Sequence, residues 1–326
     1  MFKAIKSCPF CKSKKSKKIL NKKLIKNFYV EAIISELNIN FKFLEKKLER
    51  RECQSCFSIY FSKWFNDFIQ KKIFLTIYGQ HNMGWQNFYD FKNNLQSPNH
   101  GNLFKDLKNK IKFKYYGEYG CPFNGFFFDL LKEELKKKDI KKYINSNFKN
   151  LSNKVRNFNS KKIVKRKELK VPKTKEIYKK YFLTDTSKLI WGKNDISENC
   201  SSLGLADKIF NFNLYNSDEK KFYNKKFDLF GFFMTLDHCE TSYKTLTKVL
   251  AKSKFVLIHS HVNQNLTAQH SFTFTKKIKL FFARKKIYNI ELTQNIIKDP
   301  KRNKGKNYLS NEMYLLCSKN PINLKL

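Results

Sequence analysis

The apolar positions of the chain change rhythm several times. Phe57-Ser-Ile-Tyr-Phe61 alternates with period two, as a half-buried strand does. Tyr181-Phe-Leu-Thr-Asp185 and Ile209-Phe-Asn-Phe-Asn213 are short strand-like runs, each ending in a polar residue. Phe227 to Leu236 is almost continuously apolar, as expected of a parallel strand covered on both faces. Thr241 to Lys252 predicts a helix and Phe255-Val-Leu-Ile-His259 the next strand. Phe274 to Phe282 predicts a helix, Lys286 to Leu292 a strand, and Glu312 to Cys317 the last strand. Strands that alternate with helices predict an α/β fold with a doubly wound, Rossmann-like, mostly parallel sheet.

One stretch gives this pattern a centre. Ile111 to Tyr119 is β-prone and contains the acidic Glu118; glycines at 120 and 125 follow, then an apolar, helix-like run to Leu131. Strand, glycine turn and helix is the arrangement that lets an open sheet bring its backbone close to a nucleotide-like ligand. Glycine suits the turn because it tolerates positive φ and places no Cβ against the ligand.

The cysteines add a second feature. Cys8-Pro-Phe-Cys11 and Cys53-Gln-Ser-Cys56 can each form a knuckle, and two knuckles supply four thiolates to one tetrahedral Zn²⁺. The 41 residues between Cys11 and Cys53 then fold as an insertion. Such a closed site is structural, because it keeps no coordination position for substrate. The remaining cysteines are scattered singly, which does not suggest a disulfide framework.

Charge changes the picture less than its size suggests. The net charge of +40 invites nucleic-acid binding, but of 67 basic residues only six are arginine, the usual fork for bases and phosphates. The lysines are spread along the chain among Asn, Ile and Phe, a mix that AT-biased coding would produce, so nucleic acid is not the favoured partner. The 33 phenylalanines and 41% hydrophobic content suffice for a real core. No run of about 18 apolar residues predicts a membrane span, and the N-terminal residues lack a signal-peptide pattern. The expected location is the cytoplasm.

These features divide the chain into a zinc-ribbon-like domain at 1–65, a helical linker or lid at 66–110, and a sheet domain at 111–326. The last carries a lysine-heavy insertion at about 136–180. The linker is aromatic, and Tyr78 and His81 share a face if it is helical.

Several motifs in this order resemble a class I S-adenosylmethionine-dependent methyltransferase, more narrowly the sugar C-methyltransferases and relatives with an N-terminal zinc-ribbon-like domain. Glu118-Tyr-Gly120-Cys-Pro-Phe-Asn-Gly125 stands where that family has an E-x-G-x-G-x-G loop. Phe227-Asp-Leu-Phe-Gly-Phe-Phe-Met-Thr-Leu-Asp237-His238 is similar to its fourth strand, an FD start, an apolar run and LxH. Gln269-His270-Ser-Phe-Thr-Phe274 is similar to the segment after its fifth strand. Pro122 and Asn124 depart from the three-glycine run, and proline fixes φ and removes a donor.

The resemblance implies S-adenosyl-L-methionine as cofactor and a small acceptor, a sugar or sugar-nucleotide of surface-polysaccharide synthesis. Glu118, Gly120, Cys121 and Gly125 would form the cofactor loop. Asp185 would accept the ribose hydroxyls, although it also reads as a helix N-cap. Asn213 would meet the adenine edge, and Asp237 and His238 would close the site at the fourth strand. If the acceptor is carbon or oxygen, a base must take its proton. The resemblance puts His270 first, with His81 and Tyr78 from the lid; His259 and His261 at the fifth strand end are further histidines at this edge. Two other readings stay open: a methyltransferase-fold scaffold that no longer transfers methyl groups, and a nucleic-acid-binding protein or methyltransferase.

Overall fold

The apolar run at Phe227 becomes the middle of the molecule. In the computed structural model the described residues are 1–19, 24, 28–66, 69, 100, 102–113, 115–121, 126, 129, 181–185, 210–211, 226–234, 236–238, 242–263, 271–293 and 312–324. They form strands β1 (Phe2–Ala4), β2 (Ser16–Lys18), β3 (Arg50–Cys53), β4 (Ile59–Phe61), β5 (Lys63–Phe65), β6 (Tyr116–Cys121) and β7 (Tyr181–Asp185). These continue with β8 (Phe210–Asn211), β9 (Phe227–Phe233), β10 (Ser253–His261), β11 (Phe272–Thr273), β12 (Tyr288–Glu291) and β13 (Glu312–Ser318). The helices are α1 (Phe28–Leu37), α2 (Phe41–Lys47), α3 (Leu103–Ile111), α4 (Ser242–Leu250) and α5 (Ile278–Arg284), with a 3₁₀ turn at Leu236–His238. No helix among the described residues is long and apolar enough to cross a membrane.

The large sheet is mixed and runs β12-β13-β10-β9-β6-β7-β8. Strands β8, β7, β6, β9 and β10 pair in parallel, whereas β13 is antiparallel to both β10 and β12. Together with the helices this is an α/β architecture, and chain order along the sheet reverses between β6 and β9. All seven residues of β13 are buried, and all of β9 except Asp228, which is what near-continuous apolar runs require.

Both faces of the sheet are covered. On one, Leu246, Val249 and Leu250 of α4 and Ile278, Phe281 and Phe282 of α5 join Phe230, Phe232, Val256 and Ile258 in a buried cluster. On the other, Phe126 lies edge-on to Phe233 at 5.0 Å and to Phe104 of α3 at 5.2 Å. The sheet is so tightly filled that an added Cβ at Gly117 would collide with the rings of Phe230 and Phe227, which makes glycine necessary there.

The N-terminal strands build a second, four-stranded sheet, β11-β4-β3-β2, whose last member comes from the far end of the chain. Phe272 pairs with Tyr60 and Thr273 with Ile59. Beside it, α1 and α2 bury Val30, Ile33 and Leu44 against Trp64 and Phe65. A two-stranded piece, β1 with β5, closes this region.

Three boundaries differ from the pattern in the sequence. Residues expected to start the central strand end a helix instead: α3 runs to Ile111, and Lys112 caps it in the left-handed conformation at φ 53°. Leu103, Phe104 and Leu107 are its buried face, an amphipathic period that overrides the β-prone residues at its end. Second, β6 continues through Gly120 to Cys121, so the turn starts later than glycine placement suggests. Parallel pairing with β7 carries the strand on, with a register shift between Tyr119 and Cys121. Third, the helix expected from Phe274 begins at Ile278, because Phe272 and Thr273 pair with β4 and Phe274 bridges Val262.

Candidate functional site: a four-thiol cluster and the sheet rim

The two Cys-x-x-Cys turns fold alike. In the first, the Lys12 N–H donates to the Cys8 carbonyl at 2.9 Å and the Cys8 N–H to the Ser13 carbonyl at 2.8 Å. In the second, the Phe57 N–H donates to the Cys53 carbonyl and the Cys53 N–H to the Ser58 carbonyl, both at 2.9 Å. Each turn ends on a left-handed residue, Lys12 at φ 61° and Phe57 at φ 63°. The repeat shows why the spacing matters: the same backbone bonds turn both thiols of a pair to one side.

The four sulfur atoms lie within 4.8 Å of one another. Cys8 Sγ is 3.5 Å from Cys56 Sγ, and Cys11 Sγ is 3.5 Å from Cys53 Sγ. A disulfide needs about 2.05 Å, so these are separate thiols. Four sulfurs at about 2.3 Å from one tetrahedral ion stand about 3.8 Å apart, and the cluster has that size. Its donor set therefore fits a metal ion held by thiolates. Hydrogen bonding within the cluster, first with Cys11, pushes Cys8 and Cys56 above the ordinary thiol range and, again first with Cys11, pulls Cys53 below it. Four such groups need a cation before all can ionise together.

The cluster is not an appendage. Phe10, between the first two cysteines, is 1% exposed and meets Phe274 edge-on at 5.0 Å, Tyr243 at 5.5 Å and Phe281 at 5.8 Å. The Phe57 carbonyl accepts from Thr275 Oγ1 at 3.0 Å, and the Arg284 guanidinium stands 5.3 Å over the Phe57 ring. Cys8, Cys53 and Cys56 thus share a core with β9, β10, α4 and α5.

The second grouping lies at the C-terminal ends of the parallel strands, the edge where open α/β sheets take ligands. Cys121 of β6 is the register partner of Asp185 of β7, and Asp185 of Asn211 in β8. Asp237 follows β9 in the 3₁₀ turn and is 1% exposed. Its carboxylate lies 4.0 Å from Nδ1 of His261, the last residue of β10.

Four buried residues sit directly behind this edge. His259 Nε2 and Glu312 Oε2 are 3.0 Å apart. The His259 ring stacks on Tyr314 with centroids 4.0 Å apart and planes 11° from parallel, because β10 and β13 place the two opposite each other. The Tyr314 hydroxyl is 3.2 Å from His100 Nδ1, and His100 lies edge-on to Phe126 at 5.5 Å. Burying Glu312 and His259 is tolerable because each satisfies the other.

The sequence expectations are met unevenly by this geometry. Cys8, Cys11, Cys53 and Cys56 come together. The backbones of Glu118, Gly120, Cys121, Asp185 and His238 are placed, the first three in β6, Asp185 in β7 and His238 in the 3₁₀ turn. Tyr78, His81, Gly125, Asn213 and His270 lie outside the described residues. Sequence reasoning missed His100, Glu312 and Tyr314. A signal existed for Glu312, a carboxylate opening an otherwise apolar strand; His100 precedes α3, whose amphipathic period was legible. No protein-family model matches the chain, and no curated protein matches it.

Proposed function

We propose that the chain is an S-adenosylmethionine-dependent methyltransferase acting on a small acceptor, a sugar or sugar-nucleotide, with a Rossmann-like sheet and a structural Zn²⁺ in the four-thiol cluster. One observation carries the reading. The glycine-bearing strand β6 sits where chain order reverses, and its end at Cys121 is in register with Asp185 on the adjacent parallel strand. A crevice at such a switch point is where a nucleoside ligand binds. A carboxylate one strand over is suited to accept two ribose hydroxyls.

The chain's own residues then divide the work. Gly120 lets the β6 backbone approach the ligand without a Cβ. Asp185 orients the ribose, and Asp237 borders the site from the β9 side. The bound cofactor supplies a sulfonium methyl group, so the protein contributes alignment, exclusion of water and a proton acceptor. Zn²⁺ would be held by Cys8, Cys11, Cys53 and Cys56 and would lock the two knuckles together.

Calorimetry of the full chain with S-adenosylmethionine tests the reading. Binding is expected, weakened at least tenfold in Asp185→Ala, since a charge-assisted hydrogen bond is worth about 1.5–3 kcal/mol. No heat of binding at millimolar cofactor overturns it. Cofactor binding without transfer to any small acceptor would favour the scaffold reading instead.

A further inference from the structure

We propose that His261 is the base that takes the proton from the acceptor, with Asp237 as its orienting carboxylate and the buried Glu312–His259 pair as the support behind it. The assignment rests on the methyl-transfer reading for its reaction and on geometry for its residues.

Four observations converge on His261. It ends β10 on the ligand edge of the sheet, beside the turn that follows β9. Its side chain is 26% exposed, whereas His259 and His100 are each 1% exposed and shielded from a ligand. Asp237 Oδ2 lies 4.0 Å from its Nδ1, on the inner side of the ring, which leaves Nε2 as the nitrogen to meet an acceptor. On the other flank its register partner is Glu312, whose Oε2 is held 3.0 Å from His259 Nε2.

The charged groups around His261 are therefore Asp237 from the 3₁₀ turn and Glu312 from β13, with His259 two residues back on its own strand. A buried carboxylate behind an imidazole fixes the tautomer and stabilises the imidazolium formed on proton uptake. Glu312 is prevented from swinging to the ligand side by its bond to His259, which is itself pinned by stacking on Tyr314. His261 is thus the catalytic residue, and Asp237, Glu312 and His259 are positioning residues.

The step balances as follows. The acceptor's heavy atom forms a bond to the methyl carbon while the carbon–sulfur bond breaks, its electron pair staying on sulfur. The acceptor's proton passes to His261 Nε2 and then to solvent. The substrate class this implies is a protic acceptor, a hydroxyl or an acidified C–H, rather than a thioether or tertiary amine, which has no proton to lose.

Two measurements on the full chain test the proposal. The first needs no acceptor: carbethoxylation by diethyl pyrocarbonate, followed residue by residue across pH. His261 should react and His259 and His100 should not. In Asp237→Asn the midpoint of the His261 rate should fall by about one pH unit, as expected when a nearby opposite charge is removed. A His261 that does not react, or whose midpoint is unmoved in Asp237→Asn, overturns the assignment.

The second follows methyl-labelled S-adenosylmethionine into small-molecule extracts. His261→Asn should lose about 100-fold or more in rate and flatten the rise with pH, while calorimetric binding of S-adenosylhomocysteine stays unchanged. Glu312→Gln should lower the rate by a smaller factor and shift the pH profile without abolishing it. Full transfer by His261→Asn overturns the proposal. A wild-type chain that binds no S-adenosylhomocysteine instead overturns the methyl-transfer reading, and the carbethoxylation result then decides His261 as a base independently.

Discussion

The four-thiol cluster and the sheet rim are built on opposite plans. Each half of the cluster is a local turn: the same two backbone hydrogen bonds and the same left-handed residue occur at Cys8–Ser13 and at Cys53–Ser58. The rim has no such unit. Its members come from β6, β7, the turn after β9, β10 and β13, and meet only because those strands fall into register. A site made of local turns needs one closure event, whereas a site made of registers depends on every strand between its members. Burial follows the same division, because the cluster is sealed on one face while His261 remains partly open at the edge.

The largest effect that separates the two plans is metal removal. Binding to a structural four-thiolate site contributes about 10–16 kcal/mol in isolated modules. Chelation, or Cys53→Ser, should therefore unfold the β2–β4 sheet. Because Phe272 and Thr273 pair with β4, their amides should lose hydrogen-exchange protection at the same time. Protected amides at 272 and 273 in the chelated protein would show that the two regions are independent.

Next in size is Phe10→Ala, the contact through which the regions meet. Emptying a fully buried phenylalanine site costs about 3–5 kcal/mol, so the denaturant midpoint should drop with little change in metal stoichiometry. A loss below about 1 kcal/mol would mean that Phe10 fills space that collapses readily.

Gly117→Ala probes the sheet alone. Its new methyl group would strike the Phe230 and Phe227 rings, and overpacking of this kind costs about 1–3 kcal/mol. Thermal unfolding should show the loss, and Phe230→Leu should restore part of it by making room.

The smallest effect belongs to the surface of the knuckle sheet. Glu49 is held below its ordinary value chiefly by the hydrogen bond from Lys18, at 2.7 Å, with Arg51 adding to it. A depressed carboxyl contributes stability that is present above its unfolded value and is lost as pH falls through the folded one. The pair is solvent-screened, so the acid-side loss should be about 0.2–1 kcal/mol. Lys18→Met should reduce the dependence of the urea midpoint on pH below 5, roughly the unfolded carboxylate range.

How much of this was legible in sequence follows from the range of the forces involved. Strands β7, β9, β10 and β13 announce themselves because a strand buried on both faces must be apolar along its length. The knuckles announce themselves because two thiols can face one ion only from a tight turn. Residue Phe272 did not announce that it belongs to the knuckle sheet, since a helix could equally have started beside it. Nor did His100, whose position depends on how α3 packs rather than on its neighbours in the chain.

The sequence by itself determined the alternation of strands and helices and the pairing of the cysteines, because both are enforced within a few residues by periodicity and turn geometry. Only the tertiary structure decided that β11 crosses to the metal-binding sheet, that Cys121 aligns with Asp185, and that Glu312 meets His259 beside His261. Those outcomes depend on register between strands far apart in the chain, and a shift of one residue would turn every one of these side chains to the opposite face.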